Sequence, residues 1–299
     1  MPNHELTEPK QLPHFHLIDG GLSTELERIG SKIEGNLWTG HALLDQPQIV
    51  EQAHRNYAEA GAQVVISSSY QVSRQGFQEI GLGASDADRA LAESIHIARR
   101  GVAGTNAKVA ASVGPYGAVL HDGSEYRGVY EVGQNFLEDF HSERLAVLLA
   151  ANPDYLAVET IPNVVEARAL ANVLRENNTP RWVSFTAGSG DRLWSGEFIQ
   201  AAVEEVAELQ NLVAVGINCV DPSLVSELAR NIKSVTGAAV IAYPNGGGEW
   251  DSAAGVWIGQ EPRSLSSWLP EWLDAGVEWV GGCCGTSALD IKSLSQTRL

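Results

Sequence analysis

Three cysteines stand where this sequence could do chemistry. Cys219 closes the stretch LVAVGINC, and Cys283 and Cys284 close EWVGGCCG, so each group falls where apolar, β-type residues give way to a turn. They are the only cysteines in 299 residues. An odd count with an adjacent pair is a poor disulfide framework, because neighbouring cysteines close a bridge only through a strained ring.

Three thiolates that converge on one point suit zinc and leave the fourth position of the ion open to a substrate. The plainer alternative is that the three cysteines are small buried hydrophobic side chains. The Cys-Cys pair follows two glycines, and the third cysteine stands at a similar strand end. This repetition favours the metal site.

Eight β-rich runs alternate with helical stretches and must position these residues. Each run has a near-continuous Val/Ala/Ile core, typical of parallel strands covered on both faces. The runs cover 16–21, 63–70, 108–117, 155–161, 181–187, 212–219, 239–246 and 278–285.

The stretches between the runs have helical spacing, as with Val50, Ala53 and Tyr57 in PQIVEQAHRNYAEAGA. Strand alternating with helix eight times predicts an α/β protein of the (β/α)8 TIM-barrel class, in a single domain. The rival is an open doubly wound sheet, but the GxGxxG and GxxxxGK[ST] phosphate turns are both absent.

A barrel would gather the cysteines at one rim, because active sites of such barrels lie at the C-terminal ends of the strands. Cys219 ends the sixth run, and Cys283 and Cys284 end the eighth. Glu159 on the fourth run and Tyr70 at the end of the second belong to the same even-numbered set, whose side chains can share one interior layer. For Glu159, capping of the following helix stays an alternative.

Composition excludes several classes of partner. The formal net charge of -17 argues against nucleic acid, which requires Lys and Arg to neutralise phosphate. The longest apolar run, LAVLLAA at 145–151, is too short to cross a bilayer. Free thiols without an export signal favour the cytoplasm. We expect residues 1–14 to form a polar N-terminal extension and residues 15–299 to form the barrel.

Several motifs, in order along nearly the whole chain, resemble the zinc-dependent homocysteine S-methyltransferases. The paired GINC and GGCC motifs are the most specific. The matching stretches are DGGLSTELER at 19–28, YAEAGAQVVISSSYQ at 57–71, SVGPYGAVLHDGSEYRGVY at 112–130, PDYLAVETIPNVVEA at 153–167, GINC at 216–219, YPNGGGEWD at 243–251 and GGCC at 281–284.

The resemblance implies a role for several residues. Cys219, Cys283 and Cys284 match the zinc ligands, and Glu159 matches the carboxylate that holds the substrate ammonium group. Asp19 and Gly20 match the turn whose backbone amides meet the substrate carboxylate. Tyr70 and Asn218 match positions that line the pocket.

The resemblance is strongest to the bacterial and plant branch that uses S-methylmethionine. It implies direct displacement, in which a zinc-held homocysteine thiolate takes the methyl group of the sulfonium and yields methionine. The sequence departs from the family at Gly285, where GGCC is usually followed by arginine, and it matches only loosely over TAGSGDRLWSGE at 186–197.

The segment GPYGAVLHDGSEYRGVYEVG after the third run is rich in glycine and tyrosine, as expected of a loop folded over the barrel mouth. Tyr116, Tyr126 and Tyr130 are candidates to shield a sulfonium by cation–π contact, and Glu125 to add charge. Trp250, beside YPNGGGEWD, is a further donor-side candidate. The alternative is a packed surface loop with stacked tyrosines.

Two other functions compete with this prediction. One keeps homocysteine as acceptor and takes the methyl group from S-adenosylmethionine or betaine. The other is not an enzyme but a thiol-based redox or zinc-storage protein, which predicts reversible oxidation of Cys283 and Cys284 or zinc exchange without turnover. If the protein is an enzyme with any of these methyl donors, we expect its partners to be small molecules.

Overall fold

Eight parallel strands form a barrel wrapped by helices, in a computed structural model that describes residues 12–31, 39–247, 249–251, 256–258 and 263–298. The barrel strands are β1 (His16–Leu17), β2 (Val64–Ile66), β3 (Lys108–Val113), β4 (Tyr155–Ile161), β5 (Arg181–Phe185), β6 (Leu212–Asn218), β7 (Ala239–Tyr243) and β8 (Val277–Val280). Each lies within or at the edge of a run predicted from sequence.

The strands follow the order of the chain around the barrel. Each pairs in parallel with the next, and β8 returns to β1 through the partners His16–Trp279 and Leu17–Val280. A parallel bridge between Ile18 and Val64 joins β1 to β2 and closes the circle. The predicted single-domain (β/α)8 barrel is confirmed.

The described helices lie between the strands and pack on their outer faces. They are α1 (Leu22–Arg28), α2 (Thr39–Asp45), α3 (Pro47–Glu59), α4 (Arg74–Glu79), α5 (Ala84–Gly101), α6 (Gln134–Ala150), α7 (Val164–Leu174), α8 (Ile199–Val206), α9 (Val225–Lys233), α10 (Leu265–Asp274) and α11 (Ala288–Gln296). None of these has the length and apolarity needed to cross a membrane.

The barrel interior is filled by side chains from all eight strands or their immediate ends. Alanines at positions 110, 157 and 214 leave room for the large rings of Trp182 and Trp279. The cluster is completed by Ile18, Val64, Ile241 and Tyr243. This packed interior supports the strand ends, so a site at the rim has a rigid floor.

Two short hairpins and one loop extend from the strand ends, and the sequence pattern did not predict the hairpins. One hairpin pairs Ala187–Ser189 with Arg192–Leu193 after β5, and the other pairs Glu249–Asp251 with Val256–Ile258 after β7. The loop between β3 and α6 contains two turns of 3₁₀ helix, Tyr116–Val119 and Ser124–Tyr126. The polar extension assigned to residues 1–14 stays a prediction, since residues 1–11 lie outside the described ranges.

Candidate active site

The three cysteines meet at one rim of the barrel. Cys219 follows β6 directly, and Cys283 and Cys284 lie in the turn after β8. Their Sγ atoms all lie within 4.8 Å of one another. Zinc–sulfur bonds of about 2.3 Å in tetrahedral geometry require sulfurs about 3.8 Å apart. The three thiols therefore fit a zinc ion, with a fourth position left for a substrate.

Of the three sulfurs, those of Cys219 and Cys283 are in direct contact, with the Cα atoms of the two residues 5.6 Å apart, and the sulfur of Cys284 lies beside them. A zinc ion bound to all three requires each sulfur as a thiolate. Gly285 follows the pair with φ of +74°, a region that favours glycine. The backbone here therefore disfavours the arginine that the resemblance led us to expect.

Glu159 lies on β4 and has hydrogen-bond partners on two other strands, β3 and β7. The Ser112 hydroxyl donates to its Oε1, and its Oε2 lies 3.1 Å from the Tyr243 hydroxyl. Burial raises the pKa of Glu159 to about 7, although these two hydroxyls act in the opposite direction. The carboxyl group is thus poised to change protonation state near neutral pH. No helix-capping contact involves it among the described residues.

A chain of hydroxyl groups connects Glu159 to Asn218. Tyr243 donates to Glu159 Oε2 and accepts from Trp182 Nε1 at 3.1 Å. Ser184 Oγ lies 2.5 Å from the Tyr243 hydroxyl and donates to Asn218 Oδ1 at 2.9 Å. Glu159 and Asn218 therefore belong to one buried hydrogen-bond network.

Asn218 connects this chain to the cysteines. Its Oδ1 accepts from the backbone N–H of Thr160 at 2.8 Å, and its Nδ2 donates to Thr160 Oγ1 at 2.7 Å and to Cys219 Sγ at 3.5 Å. Thr160 and Cys219 both have positive φ, of 62° and 52°. A β-branched residue in that region is strained, and the bonds from Asn218 hold it there.

The turn after β1 lies beside the cysteine loop. The amide of Asp19 donates to Val64 O and that of Gly21 to Thr286 Oγ1, so neither is free. The amide of Gly20 donates to no acceptor in the described part of the chain. Of the amides matched to a substrate carboxylate, that of Gly20 is therefore the one available.

The Asp19 side chain is buried, and only one of its two carboxylate oxygens has a hydrogen-bond partner among the described residues. Its Oδ2 accepts from the Ile66 N–H at 2.7 Å, while Oδ1 has no partner among the described residues. Burial raises the pKa of Asp19 well above its usual range, and the nearby charge of Glu159 raises it further. Two neighbouring carboxyl groups, one of them with an oxygen that has no partner among the described residues, suit a cationic group.

Tyr70 packs against Gly114, where the loop between β3 and α6 begins. It lies in the turn that follows β2, and its carbonyl accepts from Arg144 Nη2 at 2.8 Å. Burial raises the pKa of Tyr70 well above its usual range, with further contributions from Tyr126 and Glu125. The predicted pocket position is thus surrounded by other predicted residues.

The loop between β3 and α6 brings two predicted residues close to the cysteines. Tyr126 lies near Cys284, and burial of its hydroxyl raises the pKa of Tyr126 well above its usual range. Glu125 is half-buried, and its Oε2 has no partner among the described residues. Burial raises the pKa of Glu125, and burial together with the nearby charge of Glu125 raises the pKa of the Cys284 thiol.

Tyr116 and Tyr130, in the same loop, make different contacts. Both the Tyr116 N–H and the Tyr130 hydroxyl donate to Glu166, which is fully buried on α7. His141 Nε2 lies 2.8 Å from the same carboxylate. The described contacts of these two tyrosines are with Glu166 and neighbouring aromatic rings instead of with the cysteines.

Three residues of this region were missed from sequence. Tyr243 ends β7 within a quoted motif, so its strand-end position was a usable signal. The sequence gave no such signal for Glu166 or Trp194, because their contacts join distant parts of the chain. The side chain of Trp250, predicted on the donor side, lies outside what the structure describes.

A separate cavity of about 450 Å³ lies on the outside of the barrel, against α3 and α5. It contains none of the predicted site residues. Its charged groups are in ion pairs, Arg100 with Glu51 and Glu93, and Arg89 with Asp86. The cavity is lined by Leu43, Leu44, Pro47, Gln48, Glu51, Arg89, Ala90, Glu93 and Arg100.

Comparisons with known proteins match nearly the whole chain. A sequence model of the S-methyl_trans family, described as homocysteine S-methyltransferase, matches residues 16–298. Homocysteine S-methyltransferase 1 of Brassica oleracea var. italica is 38% identical over 300 residues, which cover 94% of this chain and 92% of that protein. Selenocysteine Se-methyltransferase of the same plant is 37% identical over 308 residues, covering 95% and 89%.

A solved structure agrees with the fold. The metallated form of the homocysteine methyltransferase MmuM from Escherichia coli superposes with a TM-score of 0.85 at 34% sequence identity. The match covers 95% of this chain and 96% of that one.

Proposed function

The chain belongs to the homocysteine S-methyltransferase family, and we propose that it transfers the methyl group of S-methylmethionine to homocysteine with the help of zinc. The observation that carries the proposal is the convergence of three cysteine sulfurs within 4.8 Å at the barrel rim. Cys219, Cys283 and Cys284 are the residues that would hold the ion. When bound, zinc keeps the acceptor thiol ionised near neutral pH.

Most of the rate must come from residues that hold the two substrates in line. Full ionisation of a thiol with a pKa near 8.5 contributes about 2 kcal/mol at neutral pH. Correct positioning of two reactants contributes about 7–11 kcal/mol. The residues around the cysteines are therefore as important to the proposal as the cysteines themselves.

On the side of the methyl acceptor, we propose that Glu159 binds the ammonium group of homocysteine. The free Oδ1 of Asp19 would be a second hydrogen-bond acceptor for this group. The free amide of Gly20 is suited to the substrate carboxylate. Binding of the ammonium group would displace the proton from Glu159, since a cation favours the ionised carboxylate. Tyr70 and Asn218 border this region, and Asn218 acts through Thr160 and Cys219.

On the donor side, Glu125 and Tyr126 are the loop residues best placed to meet a sulfonium. The described contacts of Tyr116 and Tyr130 favour a role in holding the loop, and Trp250 keeps its predicted donor-side role. S-methylmethionine as donor is supported by the resemblance to the bacterial and plant branch. A cytoplasmic location is proposed because the zinc site needs reduced thiols.

The experiment measures zinc content and methionine formation on the same reduced protein. Wild type should bind one zinc per chain and form methionine from homocysteine and S-methylmethionine faster than from S-adenosylmethionine or betaine. Selenocysteine is added as a second acceptor, because one relative is named for it. Cys219→Ser should lose zinc and lower kcat/KM by more than about 100-fold, while Ser223→Ala, on the exposed turn after Asp221, serves as control.

Each alternative predicts a different outcome. Faster transfer from S-adenosylmethionine or betaine would replace the proposed donor and keep the acceptor. Zinc exchange or reversible thiol oxidation without methionine formation from any donor would favour the redox or storage protein. Full transfer by Cys219→Ser or by the zinc-chelated enzyme would contradict the zinc site.

A further inference from the structure

Trp194 lies at the barrel mouth, although the sequence gave no reason to select it. It follows the hairpin strand Arg192–Leu193, and its ring packs so closely on Gly188 that a side chain there would meet it at 2.7 Å. Its Nε1 donates to Thr186 Oγ1 at 3.3 Å, and that hydroxyl donates to the Cys219 carbonyl at 3.4 Å. The indole is thus fixed two hydrogen bonds from a predicted metal ligand.

Tyr126 stands beside Trp194 and lies near a different cysteine. The two ring centroids are 6.5 Å apart in an edge-to-face arrangement. Tyr126 lies near Cys284, whereas Trp194 is linked through Thr186 to the Cys219 carbonyl. Trp194 is 41% exposed and Tyr126 is 37% exposed. Two rings from two loops therefore keep over a third of their surface exposed.

A carboxylate completes the same region. The Oε2 of Glu125 is buried without a partner among the described residues. Glu125 precedes Tyr126 in the same turn of 3₁₀ helix, so its carboxyl group comes from the same loop as the Tyr126 ring. Aromatic faces with a free carboxylate oxygen nearby are the groups that recognise a cation with apolar substituents.

We propose that Trp194 and Tyr126 form an aromatic wall that binds the sulfonium group of the methyl donor, and that Trp194 limits the size of its third substituent. The inference rests on the proposed function and adds the specificity-determining residue. In the transfer, the acceptor sulfur forms a new bond to the methyl carbon, and the electron pair of the broken bond stays on the donor sulfur. The product is a neutral thioether, which loses its attraction to the wall and can leave.

The test compares Trp194→Phe and Trp194→Leu with Trp268→Leu, a matched control. Trp268 lies on α10, where Arg263 stacks on its ring at 3.8 Å. Trp194→Leu should raise the KM for S-methylmethionine at least about tenfold, because leucine has no π-face. Trp194→Phe should keep most of the affinity, and the KM for homocysteine should stay unchanged in all three variants. Trp194→Leu should also raise the ratio of S-adenosylmethionine to S-methylmethionine turnover.

A neutral competitor separates cation binding from simple packing. A carbon isostere of S-methylmethionine, with CH in place of the sulfonium sulfur, should inhibit Trp194→Leu and wild type equally. Equal weakening of the isostere and the sulfonium, or an unchanged donor KM, would overturn the proposal. If Trp194→Leu does not fold, Thr186→Val is the substitute test. This variant removes the acceptor of the indole N–H. It should raise the KM for the donor and leave the KM for homocysteine unchanged. A different result would contradict the proposed function, namely that the wild-type protein uses no sulfonium donor.

Discussion

The proposed acceptor side and the proposed donor side of this site are built differently. On the proposed acceptor side, Glu159 and Asn218 are buried on barrel strands, and their polar atoms are held by partners from other strands. On the proposed donor side, Tyr126 and Trp194 come from two loops and keep over a third of their surface exposed. Glu125, in the same loop as Tyr126, has a buried oxygen without a partner among the described residues.

The difference predicts where selectivity lies. Buried, partnered polar groups discriminate strongly, because a wrong substrate leaves them unsatisfied. Aromatic contacts tolerate variation in the bound cation. We therefore expect a narrow range of acceptors and a wider range of donors. The following variants test this contrast from the largest expected effect to the smallest.

Glu159→Gln should raise the KM for homocysteine by about tenfold to a hundredfold, the value of a hydrogen bond to a charged group. The donor KM should change little, because Glu159 belongs to the strand-borne network. Initial rates with each substrate varied in turn measure both constants. An unchanged homocysteine KM would contradict the assignment. Glu138→Gln, on the solvent side of α6, is a matched control.

The pH dependence of Glu159 gives the same test a second readout. Its pKa of about 7 lies above its ordinary value of 4.5, so protonation stabilises the fold at low pH. That contribution is lost as pH rises through 7, and Glu159→Gln should flatten the fall in stability between pH 5 and about 8. Urea unfolding of the substrate-free protein at several pH values measures this. Homocysteine binding should weaken below pH 7 in the wild-type protein but not in Glu159→Gln.

Asn218→Ala should destabilise the protein by about 1–3 kcal/mol, because it leaves the buried Thr160 N–H without a partner. It should also weaken zinc binding by about tenfold, as loss of a group that orients a metal ligand does. Urea unfolding with a chelator and zinc competition measure the two effects. Asn172→Ala, exposed on α7, should change stability by less than about 0.5 kcal/mol. Equal effects of the two variants would remove Asn218 from the site.

The strand-borne half was largely predictable from sequence, and the loop-borne half was not. Cys219 and Glu159 stand in apolar runs whose pattern gives the strand, and the barrel topology then places them at one rim. Tyr116, Tyr126 and Tyr130 share one loop and the same composition signal. What distinguishes them is contact with residues far along the chain, such as Glu166 for Tyr130 and Trp194 for Tyr126. Such contacts depend on packing between loops, which no local pattern records.

Glu166→Gln tests whether Glu166 fixes the position of the loop between β3 and α6. The buried carboxylate accepts from Tyr116 at one end of the loop and from Tyr130 at the other, so it fixes where Glu125 and Tyr126 lie between them. Loss of one hydrogen bond, worth about 1 kcal/mol, should raise the donor KM about fivefold.

The KM for homocysteine and the zinc content of Glu166→Gln should stay at wild-type values, because the strand ends do not depend on this carboxylate. Amide hydrogen exchange should increase in residues 114–131 and not in β4 or β6, which separates a local loosening of the loop from a general loss of stability. Tyr130→Phe should reproduce the donor effect, and the double variant should add little to either change, since both remove the same bond. A rise in both KM values together would mean that the two halves of the site are not independent.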